Sequence, residues 1–401
     1  MNYKKDFPIF ANNKWLVFLD NWASTQKPSV VIDWVSDFVA HDYANIHRGS
    51  YALSERSEEA YHDSKEAVAK FLNCKSWEVI YSYNSTYWIN LVAQSLVNSW
   101  ILKKGDVVLL GIWDHHSDIL PWQILSKQFG FEIKFLGIDK NYDIDFDDFA
   151  EKYSLKVKVV ACSHVSNVTW KIYDVKKLGE MLHEDTFFLI DGSQAVPNFG
   201  VNVKDIGCDC YVFTGHKLMA YTWIGVVYLE RDSVRRLNPM IVGGWTVQDV
   251  TQQWHVLTSG PSKFEAGTPN IIWAVSLLKS LEYIDSIWWM TTVWKHEYEL
   301  MEYALKKWKV LIDKWLVELV WPQSLKDRVG VFSFVVNSVK NFQLVWEKFA
   351  AKNIAVRCGW HCAYPLHKVL DKQGTCRMSM YLYNDKEDVD KFFEVLEKIC
   401  K

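Results

Sequence analysis

An acidic residue and a lysine stand at the ends of two consecutive apolar segments of the chain. The stretch FFLIDGSQ ends its apolar run at Asp191, and the run YVFT is followed by Gly-His-Lys, which ends at Lys217. If both runs are parallel strands, their carboxyl ends meet at one edge of a sheet. Pyridoxal phosphate needs a lysine for a Schiff base and a carboxylate that keeps its pyridine nitrogen protonated. A lysine without these surroundings would be interpreted as a solvated surface residue.

The elements that would position these two residues alternate between strand and helix patterns from about residue 78 to 230. Amphipathic stretches at 85–102, 115–129 and 174–184 lie between seven β-rich runs, which are EVIYSY, DVVLLG, EIKFLG, KVKVVACS, TFFLID, CDCYVFT and IGVVYL. This alternation is typical of a mostly parallel sheet covered by helices. We therefore predict an α/β fold.

The remainder of the chain indicates a second, smaller domain. With 401 residues the chain is long enough for two domains. Residues 243–262 are polar and turn-rich and predict a long loop, 270–308 has helical periodicity, and strand and helix runs then alternate to the end. We predict an N-terminal segment at 1–20 that packs near the small domain, a large cofactor-binding domain at 21–280 and a small α+β domain at 281–401.

The composition gives no sign of a nucleic-acid or membrane partner. Hydrophobic residues make up 49% of the chain, and the formal net charge is −3, close to neutral and without long blocks of one sign. The stretch MNYKKDFPIF lacks the apolar core of a signal peptide. We expect a cytoplasmic protein.

The cysteines fall into two groups. Most lie in apolar runs, where a reduced thiol behaves as a small hydrophobic side chain; these are Cys74, Cys162, Cys208, Cys210, Cys376 and Cys400. Cys358 and Cys362 instead lie in the polar, turn-like stretch VRCGWHCAYPLH, where a thiol could be reactive.

Ten motifs in sequence order, from about Phe18 to Asn384, resemble those of one known family. They are FLDNWASTQKP, ANIHRGSYALS, YNSTYWINLVAQSL, DHHSDILPWQ, SHVSNVTW, DGSQAVP, TGHKL, FEAGTPN, VRCGWHCA and TCRMSMYLYN. The family is that of the SufS-type (group II) cysteine desulfurases, in the class V aminotransferase superfamily of fold-type I pyridoxal-phosphate enzymes. The resemblance implies a seven-stranded, mostly parallel sheet in the large domain, with the active-site cysteine loop in the small one.

The resemblance also implies which residues bind the cofactor. Lys217 is expected to form the Schiff base, Asp191 to pair with the pyridinium, and His115 to stack on the ring and assist catalysis. The remaining expected contacts are Gln194 and Asn167 near the ring hydroxyl, Ser85 and Thr86 at the phosphate on a helix N-terminus, Thr214 and His216 as further donors, and Thr268 from the second subunit of a homodimer.

Some of these residues have simpler interpretations. Asn167 could be a turn former and Ser85 a helix N-cap. His115 and His116 could begin a helix without binding anything, or form half of a metal site, although no second spaced pair completes such a site. We predict no metal.

The resemblance implies roles for residues that act on the substrate. Arg377 is expected to bind the carboxylate of L-cysteine, and Cys362 to take its sulfur as a persulfide while L-alanine is released. Arg357 and His361 could favour the thiolate, and His47 and Arg48 are expected to line the entrance. The sulfur would pass to a SufE-like or SufU-like acceptor for iron–sulfur cluster assembly.

Three alternatives stay open at this point. The enzyme could be a selenocysteine lyase or another class V lyase, because the cofactor site alone does not select the group that is removed. The chain could be an inactive dimeric scaffold. The stretch CGWHC could be a small metal knuckle or a buried turn.

Tryptophan stands where the family motifs have glycine or another small residue. The chain has 21 tryptophans and 18 glycines, and the unusual positions are Trp15, Trp22, Trp100, Trp170, Trp223, Trp245 and Trp273. Glycine admits a positive φ or a close backbone approach, which an indole does not. Either the substitutions are real and the cofactor site is crowded, or the genetic code of the source organism reads UGA as glycine and these codons were translated here as tryptophan. The retained Lys217 and Cys362 favour the second explanation.

Overall fold

The computed structural model describes residues 3–47, 49–287, 289–320 and 325–401. The strands are β1 (Val17–Phe18), β2 (Val79–Ser82), β3 (Val107–Gly111), β4 (Glu132–Leu136), β5 (Val157–Ser163), β6 (Phe187–Asp191), β7 (Cys210–Thr214), β8 (Gly225–Leu229), β9 (Val247–Val250), β10 (His255–Leu257), β11 (Val317–Leu319), β12 (Val331–Val336), β13 (Ile354–Ala355), β14 (Arg357–Gly359) and β15 (Thr375–Ser379).

The helices complete the element order. They are α1 (Pro8–Asn12), α2 (Ser29–His41), α3 (Ala52–Leu72), α4 (Ser85–Asn98), α5 (His116–Phe129), α6 (Phe146–Lys152), α7 (Val175–Glu180), α8 (Val203–Ile206), α9 (Arg231–Arg236), α10 (Ile271–Ser286), α11 (Trp289–Asp313), α12 (Phe342–Ala350), α13 (Tyr364–Val369) and α14 (Lys386–Cys400). Within the described part of the chain, none of them is both long and apolar enough to cross a membrane.

The large sheet has seven strands in the order β2-β8-β7-β6-β5-β3-β4. Only β8 runs antiparallel to its neighbours within this sheet; the other pairings are parallel. Strands β3, β7 and β8 are buried along their whole length, as expected for a sheet with helices on both faces. The predicted α/β class and all seven strand runs are confirmed.

The second sheet is antiparallel and has the order β11-β12-β15-β14. Helix α12 packs beside it, and the ring of Phe392 on α14 lies 5.8 Å from that of Phe334 on β12. Strand β1 pairs in parallel with β13. The N-terminal segment is anchored here too, since the ring of Phe7 lies 4.6 Å from that of Tyr383. The domain limits at 1–20, 21–280 and 281–401 stay a prediction.

The segment predicted as a long loop contains regular structure, so that prediction was wrong for its centre. Strands β9 and β10 form an antiparallel hairpin, and a 3-10 turn follows at Pro261–Phe264. Most of the hairpin is exposed. A strand pair without a buried face shows no apolar alternation in the sequence.

The prediction that Cys376 is a reduced, hydrophobic thiol was also wrong. Cys376 forms a disulfide with Cys358, and the two are directly paired partners on the antiparallel strands β15 and β14. Facing positions on adjacent strands bring two side chains close together. The thiols of Cys162, Cys208, Cys210 and Cys400 are free and buried as predicted, that of Cys74 is partly buried, and Cys362 is free and exposed.

Several tryptophans adopt a backbone conformation that favours glycine. Tryptophan accounts for 21 of 401 residues, yet within the described ranges five of the fourteen non-glycine residues with positive φ are tryptophan: Trp100, Trp170, Trp223, Trp245 and Trp315. Their φ angles of 51° to 75° lie in the left-handed region, which costs other residues roughly 1–2 kcal/mol. Trp15, Trp22 and Trp273 have no positive φ.

Two of these tryptophans occupy the position just beyond a helix end. The amide of Ile101 donates to the Leu96 carbonyl around Trp100, and the amide of Leu316 donates to the Leu311 carbonyl around Trp315. This hydrogen-bond pattern ends a helix with a left-handed residue that is usually glycine. The backbone at both positions is therefore that of a glycine-terminated helix.

Candidate active site

A cavity of about 410 Å³ opens at the carboxyl ends of β5, β6 and β7. Ligand sites in open α/β sheets lie at this edge. The residues that line the cavity include most of the predicted site: Ser85, Thr86, His115, Asn167, Asp191, Gln194, Thr214, His216, Lys217, Arg357, His361, Cys362 and Arg377. The fold thus gathers residues that lie nearly 300 positions apart in the sequence.

Lys217 and Asp191 lie on neighbouring strand ends. Asp191 closes β6, which pairs with β7, and Lys217 follows β7 in a 3-10 turn. One oxygen of Asp191 accepts a 2.8 Å hydrogen bond from the Ser193 amide. Burial lowers the pKa of Lys217 to about 8, although nearby Asp191 acts in the opposite direction. A substantial fraction of this amine is therefore neutral, and nucleophilic, in mildly alkaline solution.

The N-terminus of α4 faces the same cavity. Asn84 is the N-cap, with its side chain accepting from the Tyr87 amide at 2.8 Å, so the interpretation of Ser85 as the N-cap was wrong. A Cβ on Gly225 would lie 2.7 Å from the Asn84 backbone, and this contact requires glycine on β8. The first amides of a helix lack partners within it and favour an anion such as phosphate.

His115 caps α5 from the cavity side. Its Nδ1 accepts a hydrogen bond from the Ser117 amide at 3.1 Å, which leaves the ring proton on Nε2. Burial, together with the charge of Lys217, lowers the pKa of His115 to about 4. A neutral, flat ring can stack on an aromatic cofactor. No group of potential metal ligands occurs among the described residues.

Hydrogen bonds attach the loop that carries Cys362 to the segment after β5 and to the start of α5. The Asn167 side-chain amide donates to the His361 carbonyl at 2.6 Å, and the His116 amide donates to the Cys362 carbonyl at 2.8 Å. Tyr364 is stacked between the rings of Trp360 and His116. These contacts place a free thiol at the mouth of the cavity.

His361 does not supply a positive charge to this thiol. It is buried, its Nε2 lies 3.0 Å from the Thr375 hydroxyl, and burial followed by the charge of Arg377 holds its pKa well below the usual value. Since this imidazole is neutral near pH 7, the remaining predicted cation beside Cys362 is Arg357.

Two arginines share one carboxylate beside the cavity. Arg357 and Arg377 are paired partners on β14 and β15, and Asp20 lies 3.3 Å from the first and 3.5 Å from the second. Burial lowers the pKa of Arg377 to about 10 against the opposing effect of Asp20, so its guanidinium remains charged. Two cations with one counter-ion leave a net positive charge for a substrate carboxylate.

Three predicted residues are not in the cavity. Thr268 is exposed and lines a separate pocket beside Tyr83 and Glu265. The ring of His47 packs 4.8 Å from Trp245, and Arg48 lies outside the described residues. The proposed contribution of Thr268 from a second subunit stays a prediction.

The cavity also contains groups that the sequence prediction missed. Ser193 and Ser117 bond to the hydroxyls of Ser85 and Thr86 at 2.8 and 2.6 Å, and their only sequence signal was their place inside two of the matching motifs. The hydroxyl of Thr214, which belongs to the predicted site, is buried and has no partner among the described residues. A lysine, a facing acid, a planar imidazole and hydroxyls at a helix N-terminus are the groups that would hold pyridoxal phosphate.

Comparison with known proteins agrees with this chemistry. A model of the family described as aminotransferase class-V matches residues 17–392. The chain is 35% identical to a probable cysteine desulfurase of Halalkalibacterium halodurans, covering 98% of this chain and 96% of the relative, and 35% identical to one of Pyrococcus abyssi, with 99% and 97% covered. It superposes on a solved cysteine desulfurase of Thermococcus onnurineus with a TM-score of 0.92 and 34% identity, covering 99% and 97% of the two chains.

Proposed function

Because the chain belongs to the class-V aminotransferase family, we propose that it is a pyridoxal-phosphate-dependent cysteine desulfurase. It converts L-cysteine to L-alanine and leaves a persulfide on Cys362. The observation that carries the proposal is that Lys217, Asp191 and the free thiol of Cys362 line one cavity.

The cofactor would be held by residues at two strand ends and two helix N-termini. Lys217 would bind it covalently, Asp191 would face its ring nitrogen, and the first turn of α4 would hold its phosphate through Ser85 and Thr86. The bound cofactor supplies an electron sink that weakens bonds at the α and β carbons of an amino acid. His115 would cover one face of the ring.

Arg377 would orient the substrate by binding its carboxylate. Its buried guanidinium is fixed by a 2.9 Å hydrogen bond to the Asn167 carbonyl, so little side-chain freedom remains to be lost on binding. The amine of Lys217, whose pKa burial lowers to about 8, would act as the base that accepts the α proton of the substrate and returns it later.

Cys362 would perform the sulfur transfer. Its thiolate attacks the substrate sulfur, the new S–S bond forms, and the old C–S bond breaks with its electron pair passing to the carbon side. Protonation of that carbon completes L-alanine, so one thiol and one cysteine become one persulfide and one alanine. No external oxidant is required.

The partners of the protein follow from this chemistry. The exposed thiol of Cys362 can present a persulfide to an acceptor of the SufE or SufU type in iron–sulfur cluster assembly. Thr268 would reach the cofactor phosphate of the other subunit in a homodimer, and we place the reaction in the cytoplasm. These assignments rest on the family resemblance.

The deciding experiment is to incubate the protein with L-cysteine, pyridoxal phosphate and a thiol, and to measure alanine together with persulfide on Cys362. We expect both products, with Cys362→Ala losing the persulfide and Cys74→Ala serving as a matched control. Full sulfide release by Cys362→Ala would instead indicate a lyase that does not use the loop thiol. Failure of Lys217 to bind the cofactor would indicate an inactive scaffold, and parallel assays with selenocysteine would show which amino acid is preferred.

A further inference from the structure

Behind Asp191 lies a second carboxyl group, on Asp118, that no step above uses. Asp118 is in the first turn of α5 and is completely buried. No N–H or O–H group of the described residues donates to either of its carboxylate oxygens. A buried carboxylate without donors is strongly unfavourable, and such a group takes up a proton instead.

The charged groups around Asp118 make ionisation still harder. The Asp191 carboxyl is within hydrogen-bonding reach, Asp114 is a further acid nearby, and the charge of Lys217 opposes them. Burial, followed by the charges of Asp114 and Asp118, also raises the pKa of the buried Cys162 thiol on β5. Burial first, and then Asp191 and Asp114, raise the pKa of Asp118 well above its usual value. The positive end of the α5 dipole favours a carboxylate, but burial opposes it more strongly.

Asp114 and Asp191 differ from Asp118 in having donors. Asp114 accepts hydrogen bonds from the amides of Gly111 and Ser163 at 2.9 and 2.8 Å. Asp191 accepts one from Ser193 and also faces the cavity. Burial also raises the pKa of Asp114, to about 8, in spite of these donors. Asp118 has no donor at all, so its charged form is the least favourable of the three, and Asp191 is the acceptor placed to receive its hydrogen bond.

We propose that Asp118 is a positioning residue that stays protonated and donates a hydrogen bond to the Asp191 carboxylate. This bond orients the Asp191 carboxylate towards the cavity, so that it can pair with a protonated ring nitrogen. The inference deepens the proposed function and rests on it for the role of Asp191. The protonation of Asp118 is independent of that role.

The first test uses the protein without added cofactor. Between pH 5 and 7 a protonated Asp118 makes the folded chain bind one more proton than the unfolded chain at this site, so stability falls as pH rises. The unfolding equilibrium constant of the wild type should therefore rise more steeply with pH than that of Asp118→Asn. We expect the ratio of the two constants to change by a factor approaching ten per pH unit. If urea titrations at several pH values give both proteins the same dependence of the unfolding free energy on pH, Asp118 is not protonated in the folded wild type.

The second test separates the proton from the hydrogen bond. Asp118→Asn keeps an N–H donor, whereas Asp118→Leu has a similar shape and no donor. We expect Asp118→Asn to retain the cofactor absorption spectrum and affinity, and Asp118→Leu to bind pyridoxal phosphate about tenfold more weakly, as for the loss of one charge-assisted hydrogen bond. Wild-type binding by Asp118→Leu would overturn the positioning role. If that variant does not fold, a weakened affinity in Asp118→Asn contradicts it equally.

These measurements distinguish the inference from the proposed function. If no variant and no wild-type protein binds the cofactor, the proposed function fails, while the pH slope still reports on Asp118. If the wild type forms alanine and both Asp118 variants bind the cofactor equally, the function stands and the inference fails.

Discussion

The side-chain amide of Asn167 donates a 2.6 Å hydrogen bond to the backbone carbonyl of His361, and so joins the segment that follows β5 to the loop that carries Cys362. We expect Asn167→Leu to release this loop, because one hydrogen bond contributes about 0.5–1.5 kcal/mol. The rate of Cys362 alkylation should rise roughly three- to tenfold, with Cys362→Ser as the control that assigns the label. Unchanged alkylation and hydrogen exchange at 360–364 would show that this bond does not hold the loop.

The binding of pyridoxal phosphate to the apoprotein should depend on pH through Lys217. The pKa of its amine is lowered to about 8 by burial, and only the neutral amine attacks an aldehyde. The rate of binding, followed by absorbance, should therefore increase from pH 6.5 and level off above about pH 9. Lys217→Met should show no covalent binding at any pH. A pH-independent rate in the wild type would contradict the lowered pKa.

Asp20 should control the affinity for the substrate through the two arginines that it contacts. Asp20→Asn removes one of the two contacts that orient Arg377 and leaves only its hydrogen bond to the Asn167 carbonyl. We expect the KM for L-cysteine to rise about tenfold, corresponding to one charge-assisted hydrogen bond of roughly 1.5 kcal/mol, with a smaller change in kcat. Asp42→Asn, which breaks the more exposed ion pair with Arg56, is the matched control and should leave KM unchanged. A fall in kcat alone would count against this explanation.

The disulfide between Cys358 and Cys376 should stabilise the chain mainly by restricting the unfolded state. The two cysteines are 18 residues apart, and a loop of that length corresponds to about 3 kcal/mol in the chain-entropy account. A reducing agent should lower the free energy of unfolding in denaturant by this amount. The reducing agent should not change the free energy of unfolding of Cys376→Ser. If it lowers that free energy as much as it does in the wild type, the loss of stability has another cause than the disulfide.

Glycine should stabilise the chain at the left-handed tryptophans that are exposed. Trp100 is 76% exposed and Trp315 84% exposed, so their replacement leaves no cavity. We expect Trp100→Gly and Trp315→Gly each to raise the free energy of unfolding by about 0.5–1 kcal/mol. Trp346→Gly, inside α12 and 47% exposed, should lower it by about 0.5 kcal/mol. If all three variants are destabilised, the backbone at these sites does not prefer glycine.

The same positions test the recoding hypothesis in the source organism. Peptide mass spectrometry of the native protein should find glycine at Trp100, Trp170, Trp223 and Trp245, and at Trp315, which the motif comparison did not identify. TGG codons at these positions would reject the hypothesis and leave a protein with tryptophan at the mouth of its active site.

The strands of the large sheet were predictable because each is a short, buried apolar run, whereas the β9-β10 hairpin is exposed and has no such signal. Lys217 and Asp191 were predictable because strand ends of one parallel sheet meet. The disulfide was not, because strand register decides which side chains face each other. Asp118 was missed for a different reason. An acid in the first turn of a helix is common, and nothing local in the sequence distinguishes a buried one.

His115 and His116 are consecutive residues at the start of one helix, yet the first faces the cavity and the amide of the second bonds to the Cys362 carbonyl. Ligand binding in the cavity and docking of the Cys362 loop therefore both involve the start of α5. Thermodynamic linkage makes any such influence mutual. If a bound ligand stabilises the docked position of the loop by some factor, the docked loop must increase the affinity for that ligand by the same factor. The enzyme would then bind its reactants most tightly when the thiol of Cys362 is close to the substrate sulfur.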